Sequence, residues 1–238
     1  MVLMYKRILL KISGEQLAGK HGTGIDIGIA SILASNIEKT LHKTNCQIII
    51  VIGAGNIMRG KDVAGEGVKR VTADHMGMLG TMINALALTD IFESKNIPTR
   101  CMSNIYAQQV AEPFVHRLAN KHLDRGRVVI IAGGIGRPYI TTDTAAVSLA
   151  LELDCEAVLK ATKVDGVYDK DPNKFKDAIR FTNLSYKEAL SNTNIQVMDK
   201  AALGLAMDHK MNVIVFDSFG IDNLLKVVQG KNIGTKIG

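Results

Sequence analysis

Short runs rich in Ile, Val and Leu recur along this chain, and longer segments separate them. A continuous apolar run of about five or six residues is typical of a strand that is buried on both faces of a parallel sheet. The runs lie at 7–12, 47–52, 97–102, 127–132, 156–160 and 212–216. Because such strands alternate with helix-length segments, the sequence predicts an α/β fold, a three-layer α/β/α sandwich with a mainly parallel central sheet.

The segments between the runs have the apolar spacing of helices. We predict helices at 26–43, 72–96, 107–124, 142–153, 185–190, 198–210 and 221–228. Asp26, Thr72 and Thr142 occupy positions where a capping side chain is expected at a helix N-terminus. The 238 residues contain no repeat and no linker-like segment, so we expect a single domain over 1–238.

The charge balance argues against nucleic acid as a partner. Lys and Arg number 29 against 23 Asp and Glu, a formal net charge of +6, and the charges are interspersed along the chain. There is no basic tail and no basic helix with interleaved aromatic residues, the usual features of a nucleic-acid surface. A mild positive field of this kind suits the attraction of anionic metabolites.

The N-terminus and the cysteines indicate a cytoplasmic protein. Lys6 and Arg7 interrupt the first apolar residues, and no apolar stretch approaches the ~20 residues of a membrane span. Cys46, Cys101 and Cys155 stand singly, without a CxxC partner or a histidine at metal-ligand spacing. We therefore expect buried thiols in a reducing compartment, no membrane association and no metal-ligating residues.

Glycines and cations follow several of the apolar runs, where a doubly wound sheet binds its ligands. Glycine lets backbone N–H groups point at an anion, and nearby Lys or Arg supplies charge, so together they can cradle a phosphate. Any one of these loops could be an ordinary tight turn, but their recurrence at one edge favours a phosphate site. The loops are Lys11–Gly14, Gly53–Asn56 with Arg59, Gly133–Pro138 and Lys160–Gly166.

Two familiar phosphate-binding motifs are not present in literal form. Residues 14–20 follow the pattern GxxxxGK, but the next residue is His21 and not the Ser or Thr that binds Mg²⁺ in such loops. Residues 53–58 begin like a dinucleotide fingerprint, but Met58 stands where the third glycine belongs. Neither class of nucleotide-binding protein is indicated.

Two acidic residues stand next to the expected ligand edge. Asp143 opens the predicted helix after the Gly133–Pro138 loop, and Asp74 opens the long second helix. Each could be an ordinary first-turn acid that favours the helix dipole, and the alternative for Asp143 is that it organises nearby lysines. No nucleophile motif is present. Phosphoryl transfer depends on alignment and charge neutralisation, and an acceptor that is already an anion needs no general base.

Six segments carry a resemblance to a known family: KRILLKISGE, VIGAGNIMRG, ADHMGMLGTMINALAL, GRPYITTDTAA, VLKATKVDGVYDKDP and VMDKAALGLAMDHK. Together they resemble the bacterial uridylate kinases of the amino acid kinase superfamily, over nearly the whole chain. The resemblance implies transfer of the γ-phosphate of ATP to UMP, giving UDP and ADP, in pyrimidine nucleotide biosynthesis, with Mg²⁺ accompanying ATP. It also implies a homohexamer, a trimer of dimers, with UTP as an inhibitor.

Carried over motif by motif, the resemblance implies three groups of site residues. ATP would be bound by Lys11, Ile12, Ser13, Gly14, Gly55, Arg59, Thr162, Tyr168 and Asp171. UMP would be bound by Ala54, Asp74, Ile135, Gly136, Arg137, Pro138, Tyr139, Ile140, Thr141 and Thr142. Catalysis would rest on Lys11, Asp143 and the lysines Lys160 and Lys163, and the sequence does not decide which of the last two meets the transferred phosphate.

The chain departs from the family pattern at three places. Ala54 stands where the family has a glycine, and its methyl group would crowd the acceptor phosphate. In the uracil loop, Ile135 removes a hydroxyl and Arg137 adds a charge. The Gly22–Gly24 loop lacks the aromatic residue of the segment that is linked to GTP activation.

Two other functions stay open on the sequence alone. An enzyme of the same superfamily that phosphorylates a carboxylate would share the glycine loops, but it has no ribose for Asp74 to bind. A ligand-sensing regulatory protein could keep the fold and lose catalysis. The intact Lys11, Asp143 and the two lysines Lys160 and Lys163 argue against that second alternative.

Overall fold

The computed structural model describes residues 4–58, 67–192, 195 and 197–238. Within them the strands are β1 (Arg7–Ile12), β2 (Gln47–Ile52), β3 (Thr99–Ser103), β4 (Glu112–Pro113), β5 (Val128–Ala132), β6 (Ala157–Thr162), β7 (Asn183–Leu184), β8 (Asn212–Asp217) and β9 (Thr235–Ile237). The helices are α1 (Gly14–Leu17), α2 (Ile27–Lys43), α3 (Arg70–Ser94), α4 (His116–Leu123), α5 (Thr142–Glu152), α6 (Tyr186–Ser191), α7 (Lys200–Asp208) and α8 (Asn223–Val228).

The strands form one sheet in the order β4-β3-β5-β2-β1-β6-β8-β9-β7. Neighbouring strands run parallel, except that β8 and β9 are antiparallel. The mainly parallel sheet that the sequence predicts is confirmed. Strand β1 lies between β2 and β6, so the chain extends the sheet in both directions from its first strand.

Side chains alternate between the two faces of each strand, so every central strand contributes to two cores. In β1, Ile8, Leu10 and Ile12 join the core under helices α2, α3 and α8. Leu9 joins the core under α4, α5, α6 and α7. Burial on both faces explains why the strands read as unbroken apolar runs, and the three-layer sandwich is confirmed.

Lys11 breaks the apolar pattern of β1, and it is buried. By strand alternation it shares the face of Leu9, which α5 covers. A buried lysine in a central strand requires a partner for its charge.

The sequence predicts the central strands and most of the helices well, and it misses the short strands. Strands β1 and β2 have the predicted bounds, but β4, β7 and β9 were not expected. The helix predicted over 107–124 is wrong in its first half, because α4 begins only at His116. Pro113 lacks an N–H and disfavours helical geometry in the residue before it, and Glu112 and Pro113 instead form the edge strand β4.

One of the predicted helix caps is confirmed and two are wrong. Asp26 caps α2, as expected. Helix α3 begins earlier than predicted, after Lys69, which places Thr72 inside its first turn. Helix α5 is capped by Thr141 and not by Thr142, a shift of one residue along the chain.

The cysteines are buried, as the sequence predicts, and their thiols are free. Burial raises the pKa of Cys46 to about 12 and that of Cys101 to about 11. Burial also raises the pKa of Cys155. These thiols are therefore poor nucleophiles. In the described part of the chain, no helix combines the length and the hydropathy that a bilayer crossing demands.

The cap of α2 gives a first test of the fold. The Asp26 carboxylate accepts hydrogen bonds from Gly28 N (2.9 Å) and Ile29 N (3.1 Å). We expect Asp26→Ala to lower the free energy of unfolding by about 1 kcal/mol in urea titrations, because two N–H groups lose their acceptor. Asp26→Ser keeps an acceptor oxygen and should stay close to wild type. Equal losses in the two variants would contradict the cap.

Candidate active site

The glycine loops after β1 and β2 meet backbone to backbone at the carboxyl edge of the sheet. A Cβ atom on Gly14 would lie 2.6 Å from the carbonyl oxygen of Gly53 and 2.8 Å from the nitrogen of Gly55. Any larger residue at position 14 would push the loops apart. The two loops, which the sequence singled out after neighbouring strands, therefore pack directly against each other and form the floor of the site.

Three charged side chains stand at the centre of this edge. The Asp143 carboxylate lies 2.6 Å from Lys11 Nζ through Oδ1 and 2.7 Å from Lys160 Nζ through Oδ2. The side chains of Lys11, Asp143 and Lys160 are 8%, 14% and 14% exposed. Lys11 and Lys160 are direct partners in the parallel ladder of β1 and β6, so both ammonium groups leave the sheet on the same face. We call these three residues the central cluster.

Like charges that lie opposite each other in a sheet repel, and the shared carboxylate compensates this repulsion. Burial acts to raise the pKa of Asp143, but Lys11 and Lys160 outweigh it and hold the pKa of this carboxyl below its ordinary value. Burial lowers the pKa of Lys160, although Asp143 acts in the opposite direction. The central cluster thus concentrates positive charge around one fixed anion.

Helix α5 holds Asp143 in its first turn. The Thr141 hydroxyl oxygen accepts hydrogen bonds from Asp143 N (3.1 Å) and Thr144 N (3.2 Å). Thr141 also donates to the Asp199 carboxylate, and Thr144 Oγ1 lies 2.9 Å from Asp199 Oδ1. Asp199 in turn caps α7 through Ala202 N. The starts of α5 and α7 are therefore joined at one carboxylate.

Beside the central cluster, an open cavity of about 420 Å³ lies between α3 and the ends of β2 and β5, and we call it the α3 cavity. It is lined by Glu15, Ala54, Gly55, Met58, Ala73, Asp74, Gly77, Met78, Thr81, Gly134, Arg137, Ile140 and Thr142. It brings together Ala54, Asp74, Arg137, Ile140 and Thr142, which the resemblance groups as UMP-binding. Gly55, which the resemblance groups with ATP, lines this cavity as well and does not line the second one described below.

A second cavity, of about 450 Å³, lies at the ends of β6 and β8, and we call it the β6 cavity. It contains the predicted ATP-binding residues Thr162, Tyr168 and Asp171, together with Lys160 of the central cluster. The Tyr168 hydroxyl donates to Asp165 Oδ1 at 2.6 Å. Lys160 of the central cluster lines the β6 cavity, and Thr142, the chain neighbour of Asp143, lines the α3 cavity. The central cluster is therefore adjacent to both cavities.

The remaining predicted residues have the following places. Ile12 and Ser13 lie where β1 passes into α1, and Gly136 and Tyr139 have positive φ angles of 71° and 65° in the loop before α5. Ile135 and Pro138 belong to the same loop. Lys163 is exposed after β6. It is Lys160, and not Lys163, that pairs with Asp143. Arg59 lies outside the described residues.

Asp74 is held from two sides at the edge of the α3 cavity. Arg70 Nε donates to its Oδ1 at 2.8 Å, and the Tyr139 backbone N–H donates to its Oδ2 at 2.8 Å. Burial acts to raise the pKa of Asp74, but the hydrogen bonds from Tyr139 and Arg70 hold it below its ordinary value. Asp74 is therefore a carboxylate at neutral pH, with lone pairs left for a ligand.

Sequence reasoning missed a buried pair of amides beneath the floor of the site. The Asn84 amide donates to Gly53 O at 2.8 Å and to Asn56 Oδ1 at 2.7 Å. Asn56 donates to Asn84 Oδ1 at 2.9 Å and to Gly24 O at 2.6 Å. An Asn on the buried face of a long apolar helix is a signal for such a role. The pair fixes the loop after β2 to α3.

The described residues offer no group of three or more His, Cys, Asp or Glu side chains placed to hold a metal ion. The Asp143 carboxylate is shared by two lysines, and Asp199 accepts from two threonines. Mg²⁺ commonly keeps several waters and binds through substrate phosphates with one or two carboxylates.

Comparison with known proteins relates the chain to kinases. A sequence model of the amino acid kinase family matches residues 6–217. The structure is similar to UMP kinase from Bacillus anthracis, with a TM-score of 0.92 and 39% identity over 98% of this chain and 96% of that chain. It is similar to UMP kinase from Ureaplasma parvum, with a TM-score of 0.89 and 33% identity over 98% of both chains. It is also similar to uridylate kinase from Archaeoglobus fulgidus, with a TM-score of 0.71 and 25% identity over 97% of this chain and 99% of that chain.

The central cluster gives a pH-dependent stability prediction. At pH 7, Asp143→Asn leaves two ammonium groups without their anion, and we expect the free energy of unfolding to fall by roughly 3 kcal/mol. The folded-state pKa of Asp143 lies below the ordinary 3.8, so its contribution is present above that pH and is lost as the pH falls through the folded-state value. Urea titrations of both proteins from pH 7 downward should therefore converge in acid.

The control for this prediction is Asp124→Asn, which changes a carboxylate that is 67% exposed. It should alter the free energy of unfolding by less than about 0.5 kcal/mol. An Asp143→Asn protein as stable as wild type at pH 7 would show that the two lysines do not depend on this carboxylate.

Proposed function

The chain belongs to the amino acid kinase family and has its fold, and from this premise we propose that it is a uridylate kinase that transfers the γ-phosphate of ATP to UMP. The observation that carries the proposal is the position of the central cluster, which lies next to two cavities of nucleotide-compatible size, lining one through Lys160 and adjoining the other at Thr142. A donor nucleotide in one cavity and an acceptor in the other would place the reacting phosphates beside Lys11 and Lys160.

In the proposed reaction, an oxygen of the UMP phosphate attacks the γ-phosphorus of ATP, and the bond from that phosphorus to the bridging oxygen of ADP breaks. The electron pair of that bond remains on ADP. The attacking oxygen is already an anion, so no side chain has to remove a proton. Lys11 and Lys160 neutralise the charge that spreads over the transferred group, and Asp143 keeps both ammonium groups in position.

We assign ATP to the β6 cavity. Its lining includes the cations Lys160, Lys170 and Lys174, which suit a polyphosphate, and Thr162 and Tyr168 lie beside them. Mg²⁺ enters as part of the ATP complex, with its oxygens supplied mainly by the phosphates. Lys163 is exposed close by and stays free in this scheme to meet the outer phosphates.

We assign UMP to the α3 cavity. Asp74 lies on its wall as a carboxylate that can accept hydrogen bonds from ribose hydroxyls. Ala54 also lines the cavity, and a Cβ on Gly80 would lie only 2.8 Å from the Ala54 methyl group. The extra methyl of Ala54 is therefore accommodated against a glycine of α3. Arg137 adds a positive charge to the same wall.

We also propose that the protein assembles as the homohexamer that its resemblance implies. Leu79 and Ile83 lie one turn apart on α3 and are 55% and 50% exposed, which supports a face covered by another copy of the chain. We also propose that UTP inhibits the enzyme by competing with UMP or ATP for the two cavities.

The proposed reaction predicts a narrow acceptor range. In a coupled assay of ADP release with Mg·ATP, we expect turnover with UMP and not with CMP, dTMP, GMP or acetylglutamate. Asp143→Asn should lower kcat about a hundredfold or more with little change in ATP binding, because the cluster acts mainly on the charge of the transition state.

Asp124→Asn is again the matched control for this assay. It is the same change at a carboxylate that is 67% exposed and lines neither cavity. It should keep wild-type kcat. Folded wild-type protein that binds ATP and releases no ADP with UMP would overturn the proposal in favour of a regulatory protein on the same fold. Turnover with acetylglutamate alone would identify a carboxylate kinase.

Asp74 gives a separate prediction about the acceptor. We expect Asp74→Asn to raise the KM for UMP by about tenfold or more, because a ribose hydroxyl loses a charged acceptor. The KM for ATP and kcat should change little, since Asp74 lines only the α3 cavity of the two. Initial-rate kinetics with each nucleotide varied in turn would measure both constants. An unchanged KM for UMP would remove Asp74 from the ribose site.

A further inference from the structure

Three residues at the outer wall of the α3 cavity form a closed ring of contacts. Arg70 Nε donates to Asp74 at 2.8 Å, and the Tyr139 N–H donates to the other carboxylate oxygen at 2.8 Å. The Arg70 guanidinium carbon lies 5.3 Å from the centroid of the Tyr139 ring, within the range of a cation–π contact. These three contacts thus join the start of α3 to the loop before α5.

Tyr139 depends on these contacts for its position. Its side chain is not packed in the core, because the residue is 65% exposed, and its φ angle of 65° is unfavourable for a residue with a Cβ atom. A strained and exposed residue keeps such a conformation only where neighbouring groups hold it. Here Asp74 holds the backbone, and Arg70 covers the ring.

The loop that Tyr139 anchors forms part of the cavity wall. Arg137 and Ile140, on either side of Tyr139, line the α3 cavity, and so does Asp74. Arg70 itself does not line the cavity. The contacts of Arg70 therefore lead to a bound molecule through Asp74, which lines the cavity, and through Tyr139, which holds the loop in its wall.

We propose that Arg70 is a positioning residue for the acceptor nucleotide, which it serves by orienting Asp74 and holding the 135–142 loop through Tyr139. This inference rests on the proposed function, since it takes UMP as the occupant of the α3 cavity. It differs from a simple helix salt bridge because one guanidinium engages residues of two separate elements. Arg70 therefore sets the shape of the acceptor site and leaves the donor site unchanged.

Kinetics of four proteins test the proposal: wild type, Arg70→Gln, Arg70→Lys and Lys69→Gln. Arg70→Gln should raise the KM for UMP about fivefold, the scale of one screened ion pair and one cation–π contact, with kcat and the KM for ATP nearly unchanged. Arg70→Lys keeps the charge but not the planar guanidinium, so it should recover only part of the loss. Lys69 is exposed and adjacent, so Lys69→Gln removes the same charge and should leave all constants near wild type.

A double variant shows whether Arg70 acts through Asp74. If it does, adding Arg70→Gln to Asp74→Asn should raise the KM for UMP much less than Arg70→Gln does in wild type. Fully additive effects would contradict this route. A rise of the same size in Lys69→Gln, or in the KM for ATP, would also overturn the proposal, because it would reflect general electrostatics or a general structural defect.

Hydrogen exchange of the ligand-free protein separates this inference from the proposed function. Arg70→Gln should speed amide exchange in peptides that cover 135–142, and peptides of β1 should exchange as in wild type. Unchanged exchange at 135–142 overturns the inference, whatever the activity. Faster exchange in a protein whose wild type does not turn over UMP would support the loop contact and refute UMP as the acceptor.

Discussion

Two ammonium groups share one carboxylate at the carboxyl edge of the sheet, and the organisation of the site depends on this contact. Lys11 and Lys160 are neighbours in the β1–β6 ladder and leave the sheet on the same face. Without Asp143 between them, two buried like charges would face each other. In the proposed reaction the same arrangement would serve phosphoryl transfer, because charges that are already fixed in a partly dry site need little reorganisation when a phosphate passes beside them.

The topology of the sheet explains why two cavities lie on either side of this cluster. Because β1 lies between β2 and β6, the loops after β1 and β2 face one side of the cluster, and the segment after β6 faces the other. Ligands in doubly wound sheets bind where the strand order reverses in this way. The hydroxyls of Thr141 and Thr144 both contact the Asp199 carboxylate, which joins the starts of α5 and α7. These contacts hold the first turn of the helix that carries Asp143.

The two sides of the site differ in how firmly they are held. The central cluster is almost wholly buried, and the amides of Asn56 and Asn84 secure the loop beneath it. The outer wall of the α3 cavity depends on Arg70 and Tyr139, which are far more exposed. Exposed contacts are weaker and more easily replaced by contacts with water. The outer wall would therefore change its conformation for a bound acceptor more easily than the central cluster would.

The sandwich, and the edge of its sheet where the glycine loops gather, follow from the sequence alone. Strands buried on both faces must be continuously apolar, so β1 and β2 could be placed to the residue, and the glycines after them marked the ligand edge. Short edge strands such as β4 bury too little to leave that signal. Only the tertiary structure paired Asp143 with Lys160, joined Tyr139 to Arg70, and set Asn84 beneath Gly53. These partners are far apart along the chain, and local periodicity carries no information about which distant side chains the packed layers bring into contact.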